Sequence, residues 1–229
     1  MPMITIRGPL GSGAPEIGKL AADSLHVDYV DREIIAAVAA RLNRQEQEVT
    51  EKETPPSGLF GRIASALERG YSSDLGFEGA YMHVWQIPLD DARYFNTLET
   101  VIKELARSQS LVLQGRGSQF ILRDYPRALH VLVTAPLEVR LKRVMESLKL
   151  PRETAKREIA RFDNGAREFI NRYFKAEVWD PVYYDLVVNT EHLGFPAAAS
   201  IVINALSLKD ETVNRPHLWG SNPFNGNRR

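Results

Sequence analysis

Residues 3–25 constrain this chain more than any other stretch. Met3, Ile4, Thr5 and Ile6 are mostly apolar and β-prone, which predicts a short buried strand. Gly8, Gly11 and Gly13 follow at close spacing, with Ser12 between the last two. From Glu16 a helical pattern runs to Leu25, with Ile17, Leu20, Ala21 and Leu25 on one side. A strand, a glycine-rich loop and a helix in that order make a cradle for phosphate. Glycines let backbone N–H groups turn inward, and the helix N-terminus adds a partial positive charge. A glycine turn that binds nothing satisfies the same residues, so the loop alone leaves both readings open.

The spacing sharpens the question. A regular phosphate loop reads G-x-x-x-x-G-K-[ST], its lysine reaching the β/γ-phosphates and its hydroxyl holding Mg²⁺. Gly13, Gly18 and Lys19 match as text, though Leu20 follows where Ser or Thr belongs, and that match puts Gly18 and Lys19 inside the helix. The loop that follows the strand directly is 8–14. There Ala14 stands in the lysine position, and no Ser or Thr comes next.

At 229 residues the chain is long enough for one domain with a substantial core and no staples. It has no cysteine, which excludes disulfides, Fe–S clusters and thiolate zinc sites. Its 29 basic and 29 acidic residues balance, so no general charge attraction to nucleic acid or a membrane is expected. No apolar run approaches the ~20 residues of a membrane span. A soluble cytoplasmic protein is the expectation.

Further along, residues 25–31 read as a second strand, with Asp31, Arg32 and Glu33 at its C-terminal end. Ligands of open α/β sheets bind outside those strand ends, so Asp31 and Arg32 are placed to touch a substrate. Helix capping by Asp31 with a solvated Arg32 is the bland alternative. The segment 44–91 mixes charge with Pro55 and Pro56, and reads as a substrate-side helical insert. Its Tyr71, Phe77, Tyr81, His83 and Trp85 can stack on a base or simply pack, and packing is the expectation. His83 has no second ligand at metal-binding spacing, and no metal site is expected.

A helix over 92–107 leads to a strand at 111–113 and then to Gln114, Gly115, Arg116 and Gly117. An arginine between two glycines at a strand end suits bidentate phosphate contact. A buried strand at 129–134 precedes two helical stretches that carry Arg140, Arg143, Arg152, Arg161, Arg167 and Arg172. Such a hairpin, over about 140–175, is expected to be a lid, although interleaved glutamates also make a plain solvated face. A fifth strand at 184–190 and a closing helix at 193–208 follow. Residues 209–229 read as an extended or disordered tail. Its Trp219 and Phe224 are placed to dock on the body or on a second subunit, which admits a homodimer. The alternation predicts an α/β chain with a parallel sheet covered on both faces.

These blocks resemble the cytidylate kinase-like group of P-loop nucleoside monophosphate kinases. The matching stretches are ITIRGPLGSGAPEIGKLAADSL, VDYVDREII, VLQGRGSQFILRDYPRALHVLVTAPLEVRLKRV, DNGAREFINRYF and WDPVYYDLVVNTEHLGF. Their order and mutual spacing is more specific than any one of them. The resemblance implies a three-layer P-loop kinase fold over residues 1–208, with ATP and Mg²⁺ as cofactors and a CMP-like acceptor. It implies that Gly8, Gly11, Ser12, Gly13, Ala14, Arg140 and Arg143 bind the nucleotide, and that Asp31, Arg32 and Arg116 bind the acceptor. Arg116, Asp163, Arg167 and Arg172 become the catalytic set. The chain departs from the pattern at Ala14, at Pro15, at Gly117 where active relatives carry aspartate, and at Asn164 and Ala166 where lid arginines are expected. Phosphoryl transfer depends on neutralising charge. The implied activity is therefore either a kinase in which other cations substitute, or a kinase-fold binding or scaffold protein with impaired catalysis.

Overall fold

The apolar stretches foreseen from the sequence pair as neighbours in one sheet. The computed structural model describes residues 3–31 and 92–214. The expected insert at 44–91 with its aromatic set, Arg32, and residues 215–229 lie outside that range. Among the described residues the order is β1 (Met3–Arg7), α1 (Ala14–Leu25), β2 (Asp28–Val30), α2 (Ala92–Ser108), β3 (Leu111–Gln114) and α3 (Ser118–Ile121). Then come β4 (Ala128–Thr134), α4 (Leu137–Leu148), α5 (Arg152–Phe174), a 3₁₀ turn (Pro181–Tyr183), β5 (Leu186–Asn189) and α6 (Phe195–Asn214).

The five strands are parallel and run in the order β2-β3-β1-β4-β5. β1 is central, with Ile4 opposite Val112 on one side and Leu129 on the other. A strand flanked by two others and covered on both faces has no solvent side, and all five of its residues are buried. Alternation sends Ile4 and Ile6 toward α1 and α6, where Ile17, Ala21, Ala22, Ala198, Ala199 and Val202 fill the layer. The alanines let the two helices approach closely. Met3 points the other way, into a core with Leu98 and Ile102 of α2 and Phe169 and Ile170 of α5. This is the expected three-layer α/β kinase fold.

Two boundaries differ from expectation in ways that matter. β1 extends to Arg7, so a charged residue lies inside the central strand. α6 continues to Asn214, six residues past the point at which a tail was expected. Lys209 explains the extension, since its Nζ donates to the Ala128 carbonyl at 2.7 Å and also to Asp185. Asp210 adds a contact to Arg127 at 3.8 Å. No helix of the described residues is long and apolar enough to cross a membrane.

α4 and α5 form the expected antiparallel hairpin. Lys149, left-handed at φ 54°, ends α4, and Pro151 opens α5. On α5 the buried residues are Ala155, Ile159, Phe162, Asp163, Ala166, Phe169 and Ile170, a single stripe at helical spacing. One acid thus sits in an otherwise apolar face.

His130 offers a test of the core. It is only 6% exposed, its Nδ1 lies 2.7 Å from Thr5 Oγ1, and burial pushes its pKa down to about 4. A base whose folded pKa lies below its unfolded value of roughly 6.5 stabilises the fold when neutral. Stability from this group is therefore present above about pH 6.5 and is lost as pH falls toward 4. Urea titrations across that window are expected to show a drop of up to about 3 kcal/mol that a His130→Asn variant largely lacks.

Candidate active site

The loop between β1 and α1 turns so tightly that side chains are barred from it. A Cβ on Gly8 would lie 2.2 Å from Ser12 Oγ and 2.4 Å from the Val133 carbonyl. Gly13 caps α1 at φ 92°, and a Cβ there would meet the Phe195 ring at 2.3 Å. Beside the loop lies a cavity of about 380 Å³. Gly8, Gly11, Gly13, Glu16, Gln114, Arg143 and Phe195 all line it. The N-terminus of α1 faces this space, so backbone dipoles favour an anion there. Ala14 turns its Cβ toward Gly8, at the tip where a lysine would project. Gly18 and Lys19 sit within α1 and do not line the cavity, and Gly18 lies against the Tyr29 ring.

Charged groups from the hairpin hold the loop in this shape. Asp163 accepts from the Leu10 N–H at 3.1 Å, while Arg140 donates to the Leu10 carbonyl at 3.2 Å and to Asp163 at 2.8 Å. Both backbone groups of Leu10 are thereby satisfied. Arg143 donates to the Gly11 and Ser12 carbonyls at 3.3 and 3.4 Å. It also donates to Thr190 Oγ1 at 2.9 Å and to the Thr190 carbonyl at 2.7 Å. Thr190 Oγ1 in turn donates to the Ser12 carbonyl at 2.7 Å. A trans peptide points its N–H opposite its carbonyl, so this clamp turns the Gly13 N–H to the other side of the peptide plane. Burial lowers the pKa of Arg143, whose guanidinium lies 5.0 Å from the Phe195 ring centroid.

A second cluster stands at the ends of β2 and β3. Asp31 and Arg116 are both buried and 3.6 Å apart. Arg116 is left-handed at φ 58° between Gly115 at 67° and Gly117 at 71°. That conformation costs a non-glycine residue about 1–2 kcal/mol. The aspartate expected at 117 does not fit, because a Cβ there would lie 2.7 Å from the Phe174 ring. Phe174 is wedged in turn between Phe95 and Phe120.

The structure therefore brings Gly8, Gly11, Ser12, Gly13, Ala14, Arg140, Arg143 and Asp163 together at the loop, and Asp31 with Arg116 nearby. It leaves Arg167 and Arg172 exposed and away from the cavity. Arg167 is one helical turn beyond Asp163, where it meets Asn164 at 3.1 Å and Glu177 at 3.7 Å. Arg172 lies nine residues from Asp163, two and a half turns, and so on the opposite side of α5. Sequence reasoning missed Arg7, Gln114, Thr190 and Phe195. Arg7 carried a readable signal, being a charged residue in an apolar strand directly before the glycines.

Comparison with known proteins agrees with this architecture. A sequence model of the cytidylate kinase-like family matches residues 3–192. The cytidylate kinase of Sulfolobus acidocaldarius is 22% identical over 208 residues, covering 90% of this chain and 95% of the relative. That of Desulfurococcus amylolyticus is 29% identical over 161 residues, covering 70% and 84%. Among solved structures, an uncharacterized protein of Eubacterium ventriosum aligns with a TM-score of 0.62 at 20% identity, covering 90% of this chain and 99% of that one. The family match spans most of the chain, so this chain belongs to the cytidylate kinase-like family.

Proposed function

We propose that this chain transfers the terminal phosphoryl group of ATP to a small acceptor, a nucleoside monophosphate of the CMP type. The observation that carries this reading is the open cavity beside a glycine loop held in shape from three elements, α4, α5 and the residue after β5. An acceptor phosphate oxygen attacks the terminal phosphorus in line. The bond from that phosphorus to the oxygen bridging it to ADP breaks, leaving ADP and a diphosphate. Loop amides from Gly8 to Ala14 bind the nucleotide phosphates. Arg140 and Arg143 keep the loop carbonyls turned back, while Asp31, Arg32 and Arg116 orient the acceptor. The segment 44–91 is the acceptor-side insert, and the hairpin over 140–175 is the lid. Arg167 and Arg172 act on the transferred group only when that lid closes.

Mg²⁺ neutralises charge on the β- and γ-oxygens when bound. Ser12 Oγ and Glu16 Oε2 are buried oxygens with no hydrogen-bond partner among the described residues, and both fit a hard cation at the loop. Pro15 offers nothing where a hydroxyl is usual.

A second reading is favoured by Ala14 and by the two exposed lid arginines: the chain binds nucleotide but turns over slowly or not at all. An ADP-release assay with a panel of monophosphates separates the two. Turnover that requires both ATP and a pyrimidine monophosphate is expected; nucleotide binding without turnover on any acceptor would leave only the second reading. Arg116→Ala is expected to lower kcat/KM for the acceptor about 100-fold while the protein stays folded, as judged by circular dichroism. Ala14→Lys restores a cation at the loop tip and is expected to raise turnover about tenfold or more in the same assay.

A further inference from the structure

Thr190 lies just past the end of β5, outside both the glycine loop and the hairpin, and all of its polar groups are in use. It is 1% exposed. Its N–H donates to the Thr134 carbonyl at 2.9 Å, which carries the β4–β5 ladder one step beyond the strand. Its own carbonyl accepts from Arg143 at 2.7 Å. Its hydroxyl has two acceptors in reach, the Ser12 carbonyl at 2.7 Å and the Thr134 carbonyl at 3.3 Å, and one proton to give. The shorter contact takes that proton. The same oxygen accepts from Arg143 at 2.9 Å.

The peptide between Ser12 and Gly13 needs such a holder. Gly13 has φ 92° and no Cβ, so this peptide can turn over at little cost unless something restrains it. Two donors reach the Ser12 carbonyl, Thr190 at 2.7 Å and Arg143 at 3.4 Å, and the second is at the long end of hydrogen bonding. With the carbonyl held, the Gly13 N–H points to the opposite side of the peptide plane. Gly13 lines the loop cavity and caps α1, at the end of the helix where backbone N–H groups have no partner within it. Phe195, five residues beyond Thr190, lies against Gly13 from the same segment.

We propose that Thr190 is a positioning residue for the nucleotide: its hydroxyl fixes the Ser12–Gly13 peptide so that the Gly13 N–H is presented to a phosphate oxygen. Where Ala14 stands in place of a lysine, oriented backbone donors carry more of the phosphate binding. Arg143 ties α4, the first helix of the hairpin, to the same peptide through the hydroxyl and the carbonyl of Thr190. Asp31 and Arg116 stand at the ends of other strands, β2 and β3, so the effect falls on the nucleotide and not on the acceptor.

The role assigned to Thr190 rests on the phosphoryl-transfer reading, and binding measurements separate the two. Isothermal titration with ADP in the presence of Mg²⁺ and with CMP, together with melting temperatures, compares the wild type with Thr190→Val, Thr190→Ser and Thr190→Ala. Thr190→Val keeps the side-chain shape and removes the hydroxyl. It is expected to lose about tenfold in affinity for ADP while its affinity for CMP stays within about twofold of wild type. Thr190→Ser supplies the same donor and is expected to bind ADP within about threefold of wild type. A hydroxyl that only supports the fold would lower the melting temperature of Thr190→Val and leave ADP affinity unchanged, and that result overturns the proposal. An equal loss in Thr190→Ser overturns it too, as does an equal loss for ADP and CMP. If Thr190→Val does not fold, Thr190→Ala is read by the same measures, and failure of both to fold overturns the proposal by assigning Thr190 to the scaffold. A wild type that does not bind ADP removes both the role of Thr190 and the phosphoryl-transfer reading. ADP binding that depends on Thr190, in a wild type with no turnover on any monophosphate, removes phosphoryl transfer and leaves Thr190 in its role.

Discussion

The contact of Asp163 with Arg140 and Leu10 is the constraint on which the site depends. A carboxylate buried in the apolar stripe of α5 is costly unless it is met by a cation and a donor, and here both are supplied. The cation comes from α4 and the donor from the loop, so one buried charge ties three parts of the chain together. Removing either partner would strand a desolvated ion, an outcome that typically costs 3–5 kcal/mol. Thr190 and Arg143 repeat the logic on the far side of the loop, this time through carbonyls. The loop's shape is thus maintained by side chains remote in sequence, and glycine provides only the permission to adopt it.

This arrangement bears on the roles of the hairpin arginines. Those nearest the loop serve its backbone, and those farther along α5 face solvent. Arg143 serves backbone and site alike, since it holds loop carbonyls and also lines the cavity, whereas Ala14 brings no cation to the loop tip. Gly117 belongs to the same account, since the ring of Phe174 occupies the space an aspartate would need.

Much of the architecture was legible in the sequence because period-two and period-3.6 patterns are local. The apolar runs at β1 and β4, and the order of strand and helix, translated directly into the parallel sheet. The glycine loop and the placement of Asp31 and Arg116 at strand ends were also foreseeable, since residue type and strand-end position suffice, but their ion pair was not. What escaped were features set by distance in space rather than along the chain. Thr190 meets Ser12, and Phe195 meets Gly13, through contacts that no spacing rule reports. The end of α6 was placed too early because a lysine anchoring to a β4 carbonyl leaves no periodic trace. The lid arginines were grouped by chain proximity, yet α5 is long enough to turn Arg172 away from Asp163.

The contact between Phe195 and Gly13 has an evolutionary consequence. A ring that sits 2.3 Å from where a Cβ would be built leaves no room for even alanine at the helix cap. Drift at the first position of α6 and drift at the loop are thus not independent. A methyl group at 13 needs the aromatic at 195 to shrink first and still bears the strain of the left-handed backbone at φ 92°, so a lineage that changes 13 before 195 meets both costs at once.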